Sequence, residues 1–428
     1  EKENLEFLIP AVTNEALNFL GRGDFEVILL DGGSIDGTKE VIKDMGVKFH
    51  SQKSKGYGNA LIEGFNIATG DYLLTMDADL SHRPDFILNM WKEKESAEII
   101  VASRYIQGGT AETGRLRKML SIILNVAFRK GLSLQIRDCS SGFRLFRRDV
   151  IKGMDLEGED FEILEEMLIK GYLDGWKIKE IPFHYTYRKS GKSHIMLKFV
   201  YSYLRTFVRM WKLRNSIYSA DYDERAYFSR IPVQRYWQRR RHAIIKDFAL
   251  ACGKILDVGC GSSQTLRMFK DIIGLDISIN KLRHIRKYGK GLVGGTIFAL
   301  PFKNESFDCV VCSEVIEHVP VDEKVFIELT RVLKVRGILV LGTPDYGRML
   351  WRIVEIMYKY LVPGGYANQH ISHYSRNTLL GTLKRYGYNI LDHKYVGGAE
   401  FIVKAVKEQN FIHPGDTETI LQRSKEWL

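Results

Sequence analysis

The sequence predicts an α/β protein of two domains in tandem, and three observations carry that expectation. Short apolar strands alternate with amphipathic helices from residue 5 to about 190, and again from near 243 to the end, the pattern of sheets flanked by helices. Two strands end in acidic, glycine-rich punctuation: Leu29-Leu30-Asp31-Gly32-Gly33 early, and Ile255-Leu256-Asp257-Val258-Gly259-Cys260-Gly261 late. Such ends mark the carboxyl edge of a parallel sheet, where these folds take ligands. The chain of 428 residues also exceeds one ordinary core.

In the first half, strands are expected near 25–30, 71–76 and 98–102, with helices near 38–45, 57–68, 84–95, 115–130 and 160–170. Residues 213–240 are rich in Arg, Tyr and Ser and read as a connector plus the entry helix of the second domain. Strands near 254–258, 271–275, 307–312 and 337–342 follow. The expected division is 1–194, a helix and linker over 195–217, and 218–428.

Lys and Arg outnumber Asp and Glu by 63 to 52, a formal charge of +11 that asks for an anionic partner. Aromatic and basic residues do not interleave as in a single-strand binding groove, so no nucleic acid is expected. Five cysteines without repeated spacing point to a reducing compartment. Cys309 and Cys312 fall in a strand pattern that sends them to opposite faces as core filler. No run reaches the roughly 18 apolar residues that span a bilayer, and no cleavable signal is visible.

Over 195–212, Lys198, Ser202, Arg205, Arg209 and Lys212 share one helical face, and the other is apolar and aromatic with no acid. Such a helix suits a membrane interface; a helix docked on its own domain is the other reading. Residues 349–362 read as a substrate lid, with Gly364-Gly365 as its hinge.

Asp77-Ala78-Asp79 follows an apolar strand, and residues i and i+2 of an extended chain share a face. Two carboxylates so placed suit Mg²⁺ or Mn²⁺ bridging the diphosphate of a nucleotide sugar. With it come the Asp31 turn, Lys55-Gly56-Tyr57-Gly58, Ser103-Arg104-Tyr105, Asp138 with Ser141-Gly142-Phe143, Glu180-Ile181-Pro182 and Arg188-Lys189-Ser190-Gly191-Lys192. Together, over about residues 5–195, these resemble the family 2 glycosyltransferases of GT-A fold, in particular the dolichol-phosphate mannose synthase group. The resemblance implies that Asp31 contacts base or ribose, with Lys55 also in the donor site. It implies that Asp77 and Asp79 hold the metal and diphosphate, while Arg117, Arg188 and Lys192 face phosphates. Gly32 stands where a second acid is usual and Ser81 where a glutamine is. The span 10–25 is about ten residues short for the family's first loop and helix, with Asn14-Glu15 as the remnant of its P-x-x-N-E. Either residues are missing from this span or the base pocket is incomplete, and the nucleotide stays open.

A sugar hydroxyl as acceptor would need a general base, for which Asp160, Glu162, Glu165 and Glu166 are the clustered candidates. A lipid phosphate, with a second pKa of about 6, is already anionic. Arg115, Arg117, Lys118, Arg144 and Arg188 favour the lipid phosphate.

In the second half, Asp257-Val258-Gly259-Cys260-Gly261 is a tight glycine turn after an apolar strand, open to close ligand approach. Asp276 ends the next strand, and Ser313-Glu314-Val315-Ile316-Glu317-His318 and Gly337 to Pro344 follow in order. Over about residues 220–405 this succession closely resembles the class I S-adenosylmethionine-dependent methyltransferases, so both halves are expected to be Rossmann-like. The resemblance implies that Gly259 and Gly261 pack on the methionine part, Asp257 lies near its amino group and Asp276 holds the ribose. Thr296, Ser313 and Glu314 complete the expected cofactor site; Ser263 replaces a third glycine. His318, His370 and His373 are the candidates for deprotonating or orienting a methyl acceptor.

The combined expectation is a bifunctional enzyme, peripheral at the cytoplasmic face of a membrane. One half would move a sugar to a polyprenyl phosphate or lipid-linked glycan, and the other would methylate a hydroxyl or carboxyl of a glycan or glycolipid. A methyltransferase carrying a non-catalytic glycosyltransferase-like module, or a nucleic-acid methyltransferase, are the alternatives.

Overall fold

Leu5, Leu8 and Ile9 are spaced for one face of a helix, and all three are buried on the helix Lys2–Leu17. The span read as too short for a full first loop and helix is occupied as far as Leu17 by this helix, with Pro10 inside it. The computed structural model describes residues 2–186, 197–361 and 369–408, excepting the side chains at 117, 197–199 and 358–361. It divides into two units, Glu1–Arg214 and Asn215–Leu428.

The first unit does not form one sheet. Ile28–Asp31 pairs in parallel with Lys48–Ser51 and with no other described strand. A separate four-stranded sheet runs Tyr72–Thr75, Arg144–Arg147, Ile99–Ser103, Ile178–Pro182, with Arg144–Arg147 antiparallel to both neighbours. The helix Lys2–Leu17 packs on both pieces. Its Leu5 and Ile9 join Leu29, Ile42, Phe49 and Ala78 in one cluster, and its Val12 packs with Met90, Ile100 and Phe143 in the other.

The strand before Asp77 stops at Thr75, and residues 78–80 form a bend with Leu80 at φ 63°. Asp77 and Asp79 are thus not successive same-face positions of an extended strand, as the sequence suggested. A left-handed leucine is costly and survives where its surroundings impose it.

The second unit is one seven-stranded sheet. In spatial order it runs Gly291–Gly294, Ile272–Asp276, Ile255–Val258, Phe307–Ser313, Leu333–Pro344, Glu400–Lys407, Tyr388–Val396. The first five strands are parallel, and Glu400–Lys407 runs antiparallel to both of its neighbours, Leu333–Pro344 and Tyr388–Val396. Period-two alternation sends Leu256, Val310 and Cys312 to one core and Ile255, Cys309 and Val311 to the other. The two cysteines therefore lie on opposite faces, and no shared ligand is within their reach. The connector 213–240 leads into the helix Pro232–Ala249, which buries Ile244, Ile245 and Phe248 against the sheet.

Candidate active sites

In the first unit Asp77 sits in a built cup. Its amide donates to His82 Nδ1 at 2.8 Å, which leaves the His82 proton on Nε2, 3.9 Å from Asp77 Oδ2. The Tyr57 hydroxyl donates to Asp77 Oδ1 at 3.3 Å. A Cβ at Gly142 would lie 2.9 Å from the Tyr57 hydroxyl and 3.3 Å from Asp77 Oδ1, so the glycine of Ser141-Gly142-Phe143 makes room for the cup. His82 is buried and stacks on Phe143 at 4.9 Å. Asp79 is buried behind, accepting from the Ser81 amide at 3.0 Å and from the Ser81 hydroxyl. Oxygen donors of this kind fit Mg²⁺ or Mn²⁺; Asp77 offers the accessible carboxylate, one quarter exposed.

Asp31 closes its own turn, with Oδ2 accepting from the amides of Gly33 and Ser34, each at 3.0 Å. Burial pushes its carboxyl up, but bonds from Ser34 and Gly33 outweigh that and hold it below the usual range. Lys55 is exposed. The two glycines beside it serve packing: Cβ atoms at Gly56 and Gly58 would meet the carbonyls of Glu159 and Gly158 at 2.3 and 2.2 Å.

The remaining motifs interlock as scaffold. Arg104 grips Asp138 with Nε and a terminal nitrogen at 2.8 and 2.7 Å. Glu180 accepts from the Ser103 hydroxyl and from the amides of Arg137 and Asp138.

Arg144 does not face an acceptor. It is fully buried, donates to the Leu164 and Cys139 carbonyls at 2.6 Å each, and burial pulls its pKa down to about 10. Glu166 is likewise structural, bonded to the Gly158 amide and paired with Arg209, both at 2.8 Å. Glu165 is sealed in the core; burial pushes it up to about 8, against the pull of Arg144. Arg115 and Lys118 are exposed at the start of the helix Arg115–Gly131. Arg117 lies on that helix, its side chain outside the described residues, and Arg188 and Lys192 fall wholly outside them.

In the second unit Gly259 and Gly261 take φ of 70° and 52°. A Cβ on Gly259 would meet Val315 Cγ2 at 2.3 Å, and one on Gly261 would meet Asp223 Oδ2 at 2.5 Å. The Gly261 and Ser278 amides each donate to Asp276 at 2.7 Å, one to each oxygen. Asp257 is buried beside it with Oδ2 lacking any hydrogen bond; burial first, then Asp276, pushes its pKa up to about 8. That orphaned oxygen and the two left-handed glycines fit an aminocarboxylate ligand such as S-adenosylmethionine. Asp223 was missed from the sequence; it accepts from the Ser262 amide and from Lys281, both at 3.0 Å, and latches the glycine turn.

Ser313 Oγ is buried without a hydrogen bond, and Thr296 is half-buried. Glu314, at φ 58°, pairs with Arg241 at 3.0 Å. Arg241 also grips Glu400 at 2.6 Å, so Glu314 is partly committed to the scaffold.

The structure brings two of the three histidines together. His318 and His370 have ring centroids 4.8 Å apart, and burial pulls both down to about 4. Glu317 is buried among them. His373 stacks on Tyr346 at 4.1 Å and is exposed, outside the cluster.

Comparison with known proteins finds a match in each half of the chain. Residues 1–154 match the family model for glycosyl transferase family 2, and residues 256–341 match that for a methyltransferase domain. The dolichol-phosphate mannosyltransferase of Pyrococcus furiosus is 35% identical over 228 residues, covering 51% of this chain and 62% of that protein. The polyprenol monophosphomannose synthase of Mycolicibacterium smegmatis is 28% identical over 210 residues, covering 45% of this chain and 76% of that protein. The chain thus spans under two thirds of the length of the first of these. A solved S-adenosylmethionine-dependent methyltransferase of Thermotoga maritima, described as a possible histamine N-methyltransferase, is 23% identical. It covers 43% of this chain and 93% of that one, with a TM-score of 0.37. The chain carries a family 2 glycosyltransferase domain followed by a methyltransferase domain.

Proposed function

We propose that the chain is a bifunctional transferase, each unit using its own activated donor. The observation that carries this is the pair of cradles, one per unit: Asp77 with Tyr57, His82 and Gly142, and Asp257 with Gly259, Gly261 and Asp276.

In the first unit Asp77, backed by Asp79, would hold Mg²⁺ or Mn²⁺ against the diphosphate of a nucleotide sugar. Such an ion neutralises charge on a leaving diphosphate. Asp31 and Lys55 are assigned to the nucleoside side, and Arg117, Arg188 and Lys192 to the phosphates. The relatives named for dolichol phosphate and polyprenol support a polyprenyl phosphate acceptor. Its oxygen, already anionic, attacks the sugar carbon opposite the leaving group and inverts it without a base.

In the second unit Asp257 would take the ammonium of S-adenosylmethionine on Oδ2. Gly259 and Gly261 would take its methionine chain, and Asp276 its ribose, with Thr296, Ser313 and Glu314 around them. His318 and His370 would face the acceptor, a hydroxyl or carboxyl of a glycan or glycolipid, with His373 at the rim.

Exposed apolar faces support a lipid-linked acceptor and a place at a membrane surface, which we assign to the cytoplasmic face. Val200, Tyr201, Leu204, Val208 and Trp211 are exposed on the helix Leu197–Arg214, and Leu116, Met119 and Ile123 on the helix Arg115–Gly131. The two helices meet where Phe207 stands edge-on to Phe128 at 5.3 Å. Met349, Ile356 and Met357 are exposed on the helix Met349–Leu361, where the lid was expected; its glycines 364–365 lie outside the described residues. No described helix is long and apolar enough to cross a membrane.

A methyltransferase with a non-catalytic glycosyltransferase-like module is the second reading, favoured by the divided sheet of the first unit. Incubation with labelled nucleotide sugars, Mn²⁺ and polyprenyl phosphate tests between them. Label in the lipid phase, lost in Asp77→Asn, supports two activities; none with any donor leaves the module reading.

A further inference from the structure

We propose that Glu317, His318 and His370 form a binding site for a divalent transition-metal ion in the second unit. One ligand atom from each lies within 4.8 Å of the others. Ligands about 2.1 Å from a tetrahedral ion stand about 3.4 Å apart, so a small side-chain adjustment closes the site.

Hydrogen bonds fix which atoms are offered. The Tyr346 hydroxyl donates its one proton to Glu355 at 2.6 Å, so at 2.7 Å from His370 Nδ1 it can only accept. The Gln369 carbonyl, 3.2 Å from His318 Nδ1, accepts by nature. Both neutral rings therefore carry their proton on Nδ1 and the lone pair on Nε2. These are the outer-shell contacts that orient ligating histidines. Glu317 Oε2 accepts from Thr343 at 3.0 Å, while Oε1 is buried with no hydrogen bond at all. An unpaired buried carboxylate oxygen is expensive, and a cation between it and two imidazole nitrogens removes that cost.

The site is also preassembled. The amides of Ile371 and Ser372 donate to the Glu317 carbonyl at 2.8 and 3.0 Å, tying the His370 segment to the turn Ile316–His318. Trp351 stacks on His370 at 5.9 Å. Two nitrogens and one carboxylate oxygen suit Zn²⁺, Mn²⁺ or Co²⁺ better than Mg²⁺, and three ligands leave positions open.

Val315, two residues before Glu317, lies against the Gly259 turn. The segment that bears Glu317 and His318 therefore borders the proposed methyl-donor turn, and the role we give the ion, which rests on the methyltransferase reading, is to bind the acceptor hydroxyl. A metal-bound hydroxyl loses its proton to water more readily. Its oxygen then bonds the methyl carbon as the carbon–sulfur bond breaks and its electron pair returns to sulfur.

Zinc titration of the chelator-treated full chain by calorimetry tests the site. One ion per chain is expected at this locus, weakened at least about tenfold in Glu317→Gln, His370→Ala and, through the lost hydrogen bond that orients His370, Tyr346→Phe. Asp77→Asn should retain that ion. Thermal stabilisation by S-adenosylhomocysteine, retained in each variant, shows that the fold stands. No zinc binding, or binding unchanged by all three variants, or binding lost only in Asp77→Asn, would overturn the site. Zinc bound normally to a chain that ignores S-adenosylhomocysteine would support the site and refute the methyltransferase reading.

Discussion

The two units place their key acids by different means. In the second, Asp257 and Asp276 stand on neighbouring strands whose register, Gly274 opposite Asp257 and Leu275 opposite Val258, is set by a parallel ladder. In the first, Asp31 ends one strand and Asp77 follows another, in separate sheets. No strand ladder joins them among the described residues. They are related through side-chain packing, with Ala78 and Leu29 meeting Leu5 and Ile9 of the helix Lys2–Leu17, and through side-chain hydrogen bonds, His50 to Glu63 and Tyr57 to Asp77. A backbone ladder fixes relative position more firmly than packing does, so the methyl-donor cradle is the more rigid of the two.

The largest expected effect lies in the part of the first unit that is well tied. Asp138→Ala leaves the Arg104 guanidinium without its buried partner, which costs about 3–5 kcal/mol. Chemical denaturation should show the first unit unfolding early with the second unchanged. Leu5→Ala strikes the tie between the two sheets. Loss of a buried leucine costs about 2–4 kcal/mol, and nucleotide-sugar affinity should fall while S-adenosylhomocysteine affinity holds. Equal loss of both would break the comparison.

On the other side, Gly259→Val places a Cβ 2.3 Å from Val315 at a left-handed φ. S-adenosylhomocysteine affinity should drop by about 100-fold or more, roughly 2.7 kcal/mol, read by calorimetry. A pH profile sharpens the role of Asp257. Burial pushes its folded pKa up to about 8, from an ordinary carboxylate value of 3.8. The folded state therefore binds the extra proton, and stability falls as pH rises through that window and levels off above it. Asp257→Asn should flatten that fall in thermal unfolding without ligand. If the ammonium of the donor requires the ionised carboxylate, binding at pH 7 releases a proton, and the release vanishes above the folded pKa. The smallest effect concerns the exposed apolar face: Leu204→Glu with Trp211→Glu should lower binding to anionic vesicles several-fold and leave thermal stability unchanged.

Much of this was legible because it is local. A glycine turn after an apolar strand announces itself in five residues, and Gly259, Gly261 and Asp276 stand where that pattern put them. His318 and His370 were readable as candidates. Their convergence on Glu317 was not, because it depends on Gln369, Tyr346 and Thr343 arriving from distant segments. The helix Lys2–Leu17 was not placed from the sequence, although Leu5, Leu8 and Ile9 carry its spacing; the length of the span 10–25 took precedence over that periodicity. Arg144 looked like a surface cation by type. Only tertiary structure shows it closing the Leu164 and Cys139 carbonyls in the core.

The central claim is that each unit binds its own donor, and one unfolding series tests it directly. At 100 times its dissociation constant a ligand stabilises its unit by about 2.7 kcal/mol. S-adenosylmethionine alone should shift the second unit by that amount. At least one nucleotide sugar, only with Mn²⁺ present, should shift the first, and Asp77→Asn should abolish that second shift alone. A first unit that no nucleotide sugar stabilises, or one that Asp77→Asn leaves fully responsive, would contradict it.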